Sequence, residues 1–160
     1  MLKRHFVFAI TAIAVLAGCA TPSKPLTLAD TLAARPQLST LNGLIVQAGL
    51  TDTLKGAGPF TLFAPTNEAF AKVPAKTLDA LAKDPAQLKA VLTYHLIAGK
   101  LMTADVKNSN LPTVQGTNVA LSRAGDFVTV EEALVLTPDI AASNGVMHMV
   151  DSVLLPPAKR

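Results

Sequence analysis

The chain has 160 residues, 50% of them hydrophobic and 16% charged, with 14 Lys and Arg against 11 Asp and Glu for a formal charge of +3. No basic stripe with interleaved aromatics occurs, which argues against a nucleic-acid binder, and a single cysteine rules out an internal disulfide. The length suits one compact domain.

The chain opens with a short basic stretch, Met1-Leu2-Lys3-Arg4-His5, followed by an uncharged run from Phe6 to Leu16 and then small residues. That order is the pattern of an export signal, expected over residues 1–18. The apolar run is about half of the ~20 residues a membrane-spanning helix needs, and nothing later is both long and uncharged enough to span. Losing Lys3 and Arg4 leaves 12 basic side chains against 11 acidic ones, so the remaining chain is close to charge balance.

Leu16-Ala17-Gly18-Cys19 follows the apolar run directly and resembles the lipobox of bacterial lipoproteins. The resemblance implies cleavage between Gly18 and Cys19, a diacylglyceryl group on the Cys19 thiol and a membrane partner reached through that lipid. Small residues at 17 and 18 suit a peptidase that must grip the backbone there. Two or three acyl chains, at ~0.8 kcal/mol per buried methylene, hold far more firmly than a single myristoyl group. By the same resemblance an Asp after the cysteine would imply retention at the inner membrane; Ala20 stands there, which implies the outer membrane of a bacterial envelope. Ala20 to Leu26, with two prolines and small polar residues, reads as a tether whose seven residues reach at most about 24 Å.

The domain is expected over residues 27–156, with 157–160 a tail. Asp30 to Ala34 and then Leu41, Leu44, Ile45 and Ala48 have helical spacing, stopped by Gly49. Gly56-Ala57-Gly58-Pro59 signals a turn, and Phe60 to Ala64 alternates as a strand. Thr66 or Asn67 is placed to cap a short helix running through Phe70, with Glu68 in its first turn. Helices are expected at Ala75 to Lys83 and Pro85 to Tyr94, where Leu88, Val91, Leu92, His95 and Leu96 share one stripe. Beyond Gly99 the texture changes to short β-rich runs at 119–122, 127–130, 134–136 and 146–155, separated by Gly116, Gly125-Asp126, Glu131-Glu132 and Asn144-Gly145. These suggest a small antiparallel sheet system, and helices first with strands later point to an α+β domain.

Three stretches together resemble a fasciclin (FAS1) domain: Phe60-Thr61-Leu62-Phe63-Ala64-Pro65-Thr66-Asn67-Glu68-Ala69-Phe70, then Tyr94-His95, then Ala142-Ser143-Asn144-Gly145-Val146-Met147-His148-Met149-Val150-Asp151 running to Leu155-Pro156. The resemblance implies a wedge-shaped β-sandwich of about seven strands flanked by short helices. It also implies a role in adhesion or envelope contact with a protein or glycan partner, and no cofactor. In animal members Tyr94-His95 and Asp139-Ile140 correspond to elements linked with integrin binding, so these four are the candidate contact residues.

Each has a structural reading beside the functional one. Thr66 and Asn67 sit at a strand-to-helix handover, His95 shares a stripe with core leucines, Asp139 after Pro138 suits a turn whose carboxylate bonds nearby amides, and His148 alternates with methionines along a strand. Asn144 and Gly145 read as a hairpin turn. Ser143, His148 and Asp151 have the residue types of a nucleophilic triad but lie on one strand, where they cannot converge. No paired-cysteine or His-Glu-x-x-His spacing suggests a metal. The expectation is a non-catalytic protein. The alternative is a binding module for a small apolar ligand such as a pigment, with Met102, Met147 and Met149 lining an adaptable pocket.

Overall fold

The computed structural model describes residues 25–157. The expected signal, Cys19 and most of the tether lie outside the described residues. Among the described residues no helix is long and apolar enough to cross a membrane.

Helices α1 (Leu28–Ala33), α2 (Ser39–Gln47) and α3 (Thr51–Lys55) open the domain, with a single 3-10 turn at Pro36–Leu38. Thr27 starts α1 through a reciprocal capping box with Asp30, which satisfies two of the amide donors a helix start leaves free. Strand β1 (Phe60–Pro65) leads into α4 (Asn67–Lys72), α5 (Ala75–Lys83) and α6 (Pro85–Tyr94). Thr66 caps α4 by accepting from the Ala69 amide, and Asp84 caps α6 by accepting from Ala86 and Gln87. Strands β2 (Leu96–Ala98), β3 (Ser109–Pro112), β4 (Asn118–Ala124), β5 (Phe127–Val130), β6 (Ala133–Ala142) and β7 (Gly145–Val150) complete the fold.

The strands form one seven-stranded sheet in the order β2-β1-β7-β6-β5-β4-β3. The sheet folds on itself into a wedge: Ile97 bridges Thr113, and the Val114 amide donates to Leu96 O at 2.7 Å, joining the β2 edge to the segment after β3. This is the α+β fasciclin-like architecture expected. The strands beyond Gly99, β3 to β7, pair antiparallel as expected, but the sheet as a whole is mixed, because β1 runs parallel to β7 along its whole length, from Phe60 opposite Gly145 to Pro65 opposite Val150. A pairing across some 80 residues leaves no hairpin signal for local reading to find.

These two central strands are buried on both faces, which explains why Gly145-Val146-Met147-His148-Met149-Val150 lacks a polar side. Leu62, Ala64, Met147 and Met149 face the helices and join Leu28, Leu32, Leu41, Leu88 and Leu92 in one core. Phe63 and Val150 point the other way, into a second core with Tyr94, Val119, Leu121, Val128 and Val130.

Three local expectations change. The stripe that included Leu96 stops at Tyr94, since His95 ends α6 and Leu96 begins β2. The run expected as strand to 155 leaves the sheet after Val150. Pro138-Asp139 lies inside β6 rather than in a turn between strands. Helix α3 and strand β3 had no expectation; both are short and one is polar, so tertiary contacts rather than periodicity define them.

Candidate functional site

The β6–β7 hairpin carries most of the sequence-derived candidates, and its two ends are built differently. At the turn, Asn144 ties three segments together. Its Nδ2 donates to Leu54 O at 2.7 Å and Gly56 O at 2.8 Å, and its Oδ1 accepts from the Leu28 amide at 2.8 Å. Its own carbonyl receives the Phe60 amide, and the neighbouring Ser143 amide donates to Leu26 O at 2.8 Å. The last tether residue is thus bonded to the domain. Gly145 is required here because a Cβ would sit 2.1 Å from Phe60 O, a distance no side chain tolerates. Asn144 and Gly145 are the knot where α1, α3, β1 and β7 meet.

Further along β6 the pairing with β7 slips twice, between Val135 and Thr137 and again between Thr137 and Ile140. Asp139 takes a left-handed backbone conformation at φ 54°, which a non-glycine residue holds only when its surroundings fix it. They do so on both sides. The Asp139 amide donates to His148 Nδ1 at 3.1 Å, and Asp139 Oδ1 accepts from the Thr103 amide at 2.9 Å while Oδ2 accepts from the Thr103 hydroxyl. The carboxylate therefore bonds an amide 36 residues distant rather than a nearby one.

Because Nδ1 of His148 accepts from Asp139, its Nε2 carries the proton and donates to Leu101 O at 2.9 Å. The ring stacks on Phe63 with centroids 5.6 Å apart. Burial pushes the His148 imidazole below its ordinary pKa, against the pull of Leu101 O and the Asp139 carboxylate. It is the neutral form that these bonds require. Burial raises the Asp139 carboxyl, but its bonds from Thr103 outweigh that and hold it below the usual carboxylate value. Arg123 secures the Thr103 segment through Thr103 O at 2.9 Å and Ala104 O at 3.2 Å. What the bulge shows to solvent is Leu136, Thr137 and Pro138, with Leu136 50% exposed. Ile140 is half-buried against the helix-side core.

Tyr94 and His95 lie elsewhere and do not join Asp139. His95 is 1% exposed; its Nδ1 donates to Val91 O at 2.7 Å and its Nε2 accepts from the Leu154 amide at 3.0 Å. Burial lowers its pKa to about 4. The Tyr94 hydroxyl is shared between Asn118 O at 3.2 Å and Glu131 Oε1 at 3.1 Å, and burial together with that carboxylate pushes its pKa up to about 12. Asn67 also acts at a distance, accepting from the Thr40 amide at 3.0 Å and donating to Pro36 O at 3.0 Å, so it fastens α4 to the start of α2.

Ser143, His148 and Asp151 do not converge: Asp151 accepts from the Leu134 amide and pairs with Lys72 at 3.5 Å, while both His148 nitrogens are taken. Among the described residues no group of three or more His, Cys, Asp or Glu is arranged to hold a metal. Met147 and Met149 fill the helix-side core, and the narrow cleft beside it, between Ile45, Leu54, Leu62 and Leu92, measures about 10 Å³. The partners that sequence reasoning missed are Thr103, Leu101 and Arg123, which carry no local motif.

A folded-over mixed sheet under a helical cap, braced by Asn67, Asp139 and Asn144, defines a small α+β domain of fasciclin-like fold. The Fasciclin domain model matches residues 36–156, and the chain belongs to the fasciclin family, which is generally non-catalytic. It is 38% identical over 146 residues to the Synechocystis protein sll1483, covering 90% of this chain and 81% of that one. It is 38% identical over 129 residues to the cell surface glycolipoprotein MPB83 of Mycobacterium bovis, covering 78% of this chain and 58% of the relative. The FAS1 domain pair of the insect cell adhesion molecule Fasciclin I shares the fold, with a TM-score of 0.68 at 20% identity over 82% of this chain and 51% of that one.

Proposed function

We propose that this chain is a lipid-anchored protein of a bacterial envelope, held in the outer membrane through Cys19, that works by contacting a protein or glycan rather than by catalysis. The observation that carries the contact reading is the braced bulge of β6. Leu136, Thr137 and Pro138 face solvent while Asp139 behind them is held from both sides by Thr103 and His148. A surface whose backbone is fixed in advance loses little conformational freedom on binding. Support for the anchor comes from the Leu16-Ala17-Gly18-Cys19 spacing and from the similarity to a relative named as a cell surface glycolipoprotein. With Leu26 bonded to Ser143, a tether of this length keeps the domain next to the bilayer.

Cells expressing Cys19→Ser test the anchor: the variant is expected in the aqueous phase after detergent partitioning, and retention in the detergent phase overturns it. Leu136→Ser tests the contact surface, since it removes an exposed apolar side chain without touching a core. Whole-cell crosslinking is expected to lose its adduct while melting stays unchanged. An unaltered adduct would move the contact elsewhere on the domain.

A further inference from the structure

His148 closes the bulge of β6 with bonds that only its neutral form makes. Its Nδ1 accepts the Asp139 amide at 3.1 Å and its Nε2 donates to Leu101 O at 2.9 Å, so a second proton on the ring forces one partner to change. The replacement is already beside it: Asp139 Oδ1 stands 3.9 Å from the same Nδ1, just outside hydrogen-bond reach. The amide and the carboxylate of one residue thus compete for one ring nitrogen. With the His148 side chain 2% exposed, bulk water does not stand in for either. Asp139 is also where the backbone is strained. Its φ of 54° is held on one side by the amide bond to His148 and on the other by the carboxylate bonds from Thr103. A proton on Nδ1 faces the amide proton head-on and releases the first hold. The carboxylate gains the ring as a donor beside Thr103, and closing from 3.9 Å to a charge-assisted bond moves the bulge by roughly 1 Å. Leu136, Thr137 and Pro138 are the solvent-facing residues that this displaces.

The charged groups around the ring leave the exchange to Asp139. Strand β1, which stacks Phe63 on the ring, carries no charged residue, β7 carries none besides His148 itself, and β6 carries only Asp139. The segment that supplies Leu101 and Thr103 brings Lys100 and Asp105, both exposed, and Arg123 of β4 bonds Thr103 O and Ala104 O rather than the ring. Asp151, past the end of β7, is taken by the Leu134 amide and Lys72. Burial opposes the proton while Leu101 O and Asp139 favour it, and the balance lies on the acid side of an ordinary histidine. We propose that His148 and Asp139 form a proton-operated latch on the β6 bulge: neutral His148 holds the Asp139 amide, and protonated His148 exchanges the amide for the carboxylate and rearranges Leu136 to Pro138. The consequence for contact rests on the bulge being the contact surface, as proposed above; the existence of the latch does not.

The test is an NMR titration of the full chain in detergent micelles, from about pH 7.5 to about 4.5. The amide signals of Leu136, Thr137, Asp139 and Ile140 are expected to move with the His148 ring signals at one midpoint below the ordinary histidine value. The Asp139 amide proton is expected to shift upfield as it loses its acceptor, while Leu28, Asn144 and Gly145 keep their native signals across the step. Asp139→Asn retains the amide, an oxygen for Thr103 and a residue that tolerates left-handed backbone, but removes the charge. Its midpoint is expected about one unit lower. His148→Gln has no titrating ring, so the step is expected to vanish; should that variant fail to fold, the Asp139→Asn midpoint decides alone. Bulge signals that ignore ring protonation overturn the proposal, as does a midpoint unchanged in Asp139→Asn. Loss of all native signals at that same midpoint overturns it too, because the event is then acid unfolding of the whole domain. Crosslinking on cells reads the contact surface separately: an adduct that Leu136→Ser leaves unaltered removes that surface without touching the latch.

Discussion

The Ser143–Gly145 turn and the Thr137–Ile140 bulge lie on one hairpin, yet they use polar groups to opposite ends. At the turn, the Asn144 side chain is spent on the backbone of α1, of α3 and of Gly56 just after it, and Gly145 lets β7 approach β1 closely. At the bulge, Asp139 and His148 hold a strained backbone that contributes nothing to the central pairing but displays three solvent-facing residues. The first arrangement secures the fold; the second shapes its surface. Changes at the turn should therefore unfold the protein, and changes at the bulge should alter contacts at small cost in stability.

Gly145→Ala puts a Cβ 2.1 Å from Phe60 O and forces the parallel β1–β7 pair apart. Since that pair separates the two cores, the variant should lose cooperative melting altogether, costing more than ~4 kcal/mol. A well-folded variant with native amide dispersion would show that the turn can relax. Asn144→Ala is milder. It orphans the Leu28 amide and the Leu54 and Gly56 carbonyls at roughly 1 kcal/mol or more each. Urea titration should give a loss of about 3 to 4 kcal/mol, and a loss below about 1 would mean that water replaces the side chain.

The two buried histidines make the same distinction visible by pH. His95, with its pKa lowered from 6.5 to about 4, is bonded only to interior backbone. Between those values the unfolded chain binds a proton that the folded one refuses, so stability rises with pH there and falls as pH drops from about 6.5 toward 4. The whole interval is worth about 3 kcal/mol. His148 is shifted in the same direction and adds to the loss. His95→Gln should flatten most of this acid slope in thermal melts, at some cost in stability at neutral pH. A slope unchanged by that substitution would assign the effect to His148 and the bulge.

How much of this was legible in the sequence depends on the range of the interaction. Thr66 and the stripe of Leu88, Val91 and Leu92 act within a helix, where local sequence pattern alone identifies them. The fasciclin boxes gave the overall fold through resemblance, while the parallel pairing of β1 with β7 has no local signature. Sequence marks Asp139 as a contact or turn residue, but its partner Thr103 sits in a Met-Thr-Ala-Asp stretch that no periodicity marks. His148 was expected in the core because it alternates with methionines; that its ring would receive the Asp139 amide depends on a register slip between β6 and β7. A slip of that kind arises only once both strands are paired.

The slightest change examines the bulge alone. Thr103→Val keeps the shape and the amide donor to Asp139 but removes the hydroxyl donor, so Oδ2 loses its partner while Oδ1 keeps one. Stability should fall by only about 1 kcal/mol. The Asp139 carboxyl, held below its usual pKa partly by that hydroxyl, should titrate at higher pH in carboxyl-detected NMR. If the bulge is braced for contact, the amide signals of Leu136, Thr137, Asp139 and Ile140 broaden or move while those of Asn144 and Gly145 stay fixed. Equal disturbance at both ends of β6 would mean that the hairpin behaves as one rigid body, and that the division between a fold-securing turn and a surface-shaping bulge does not hold.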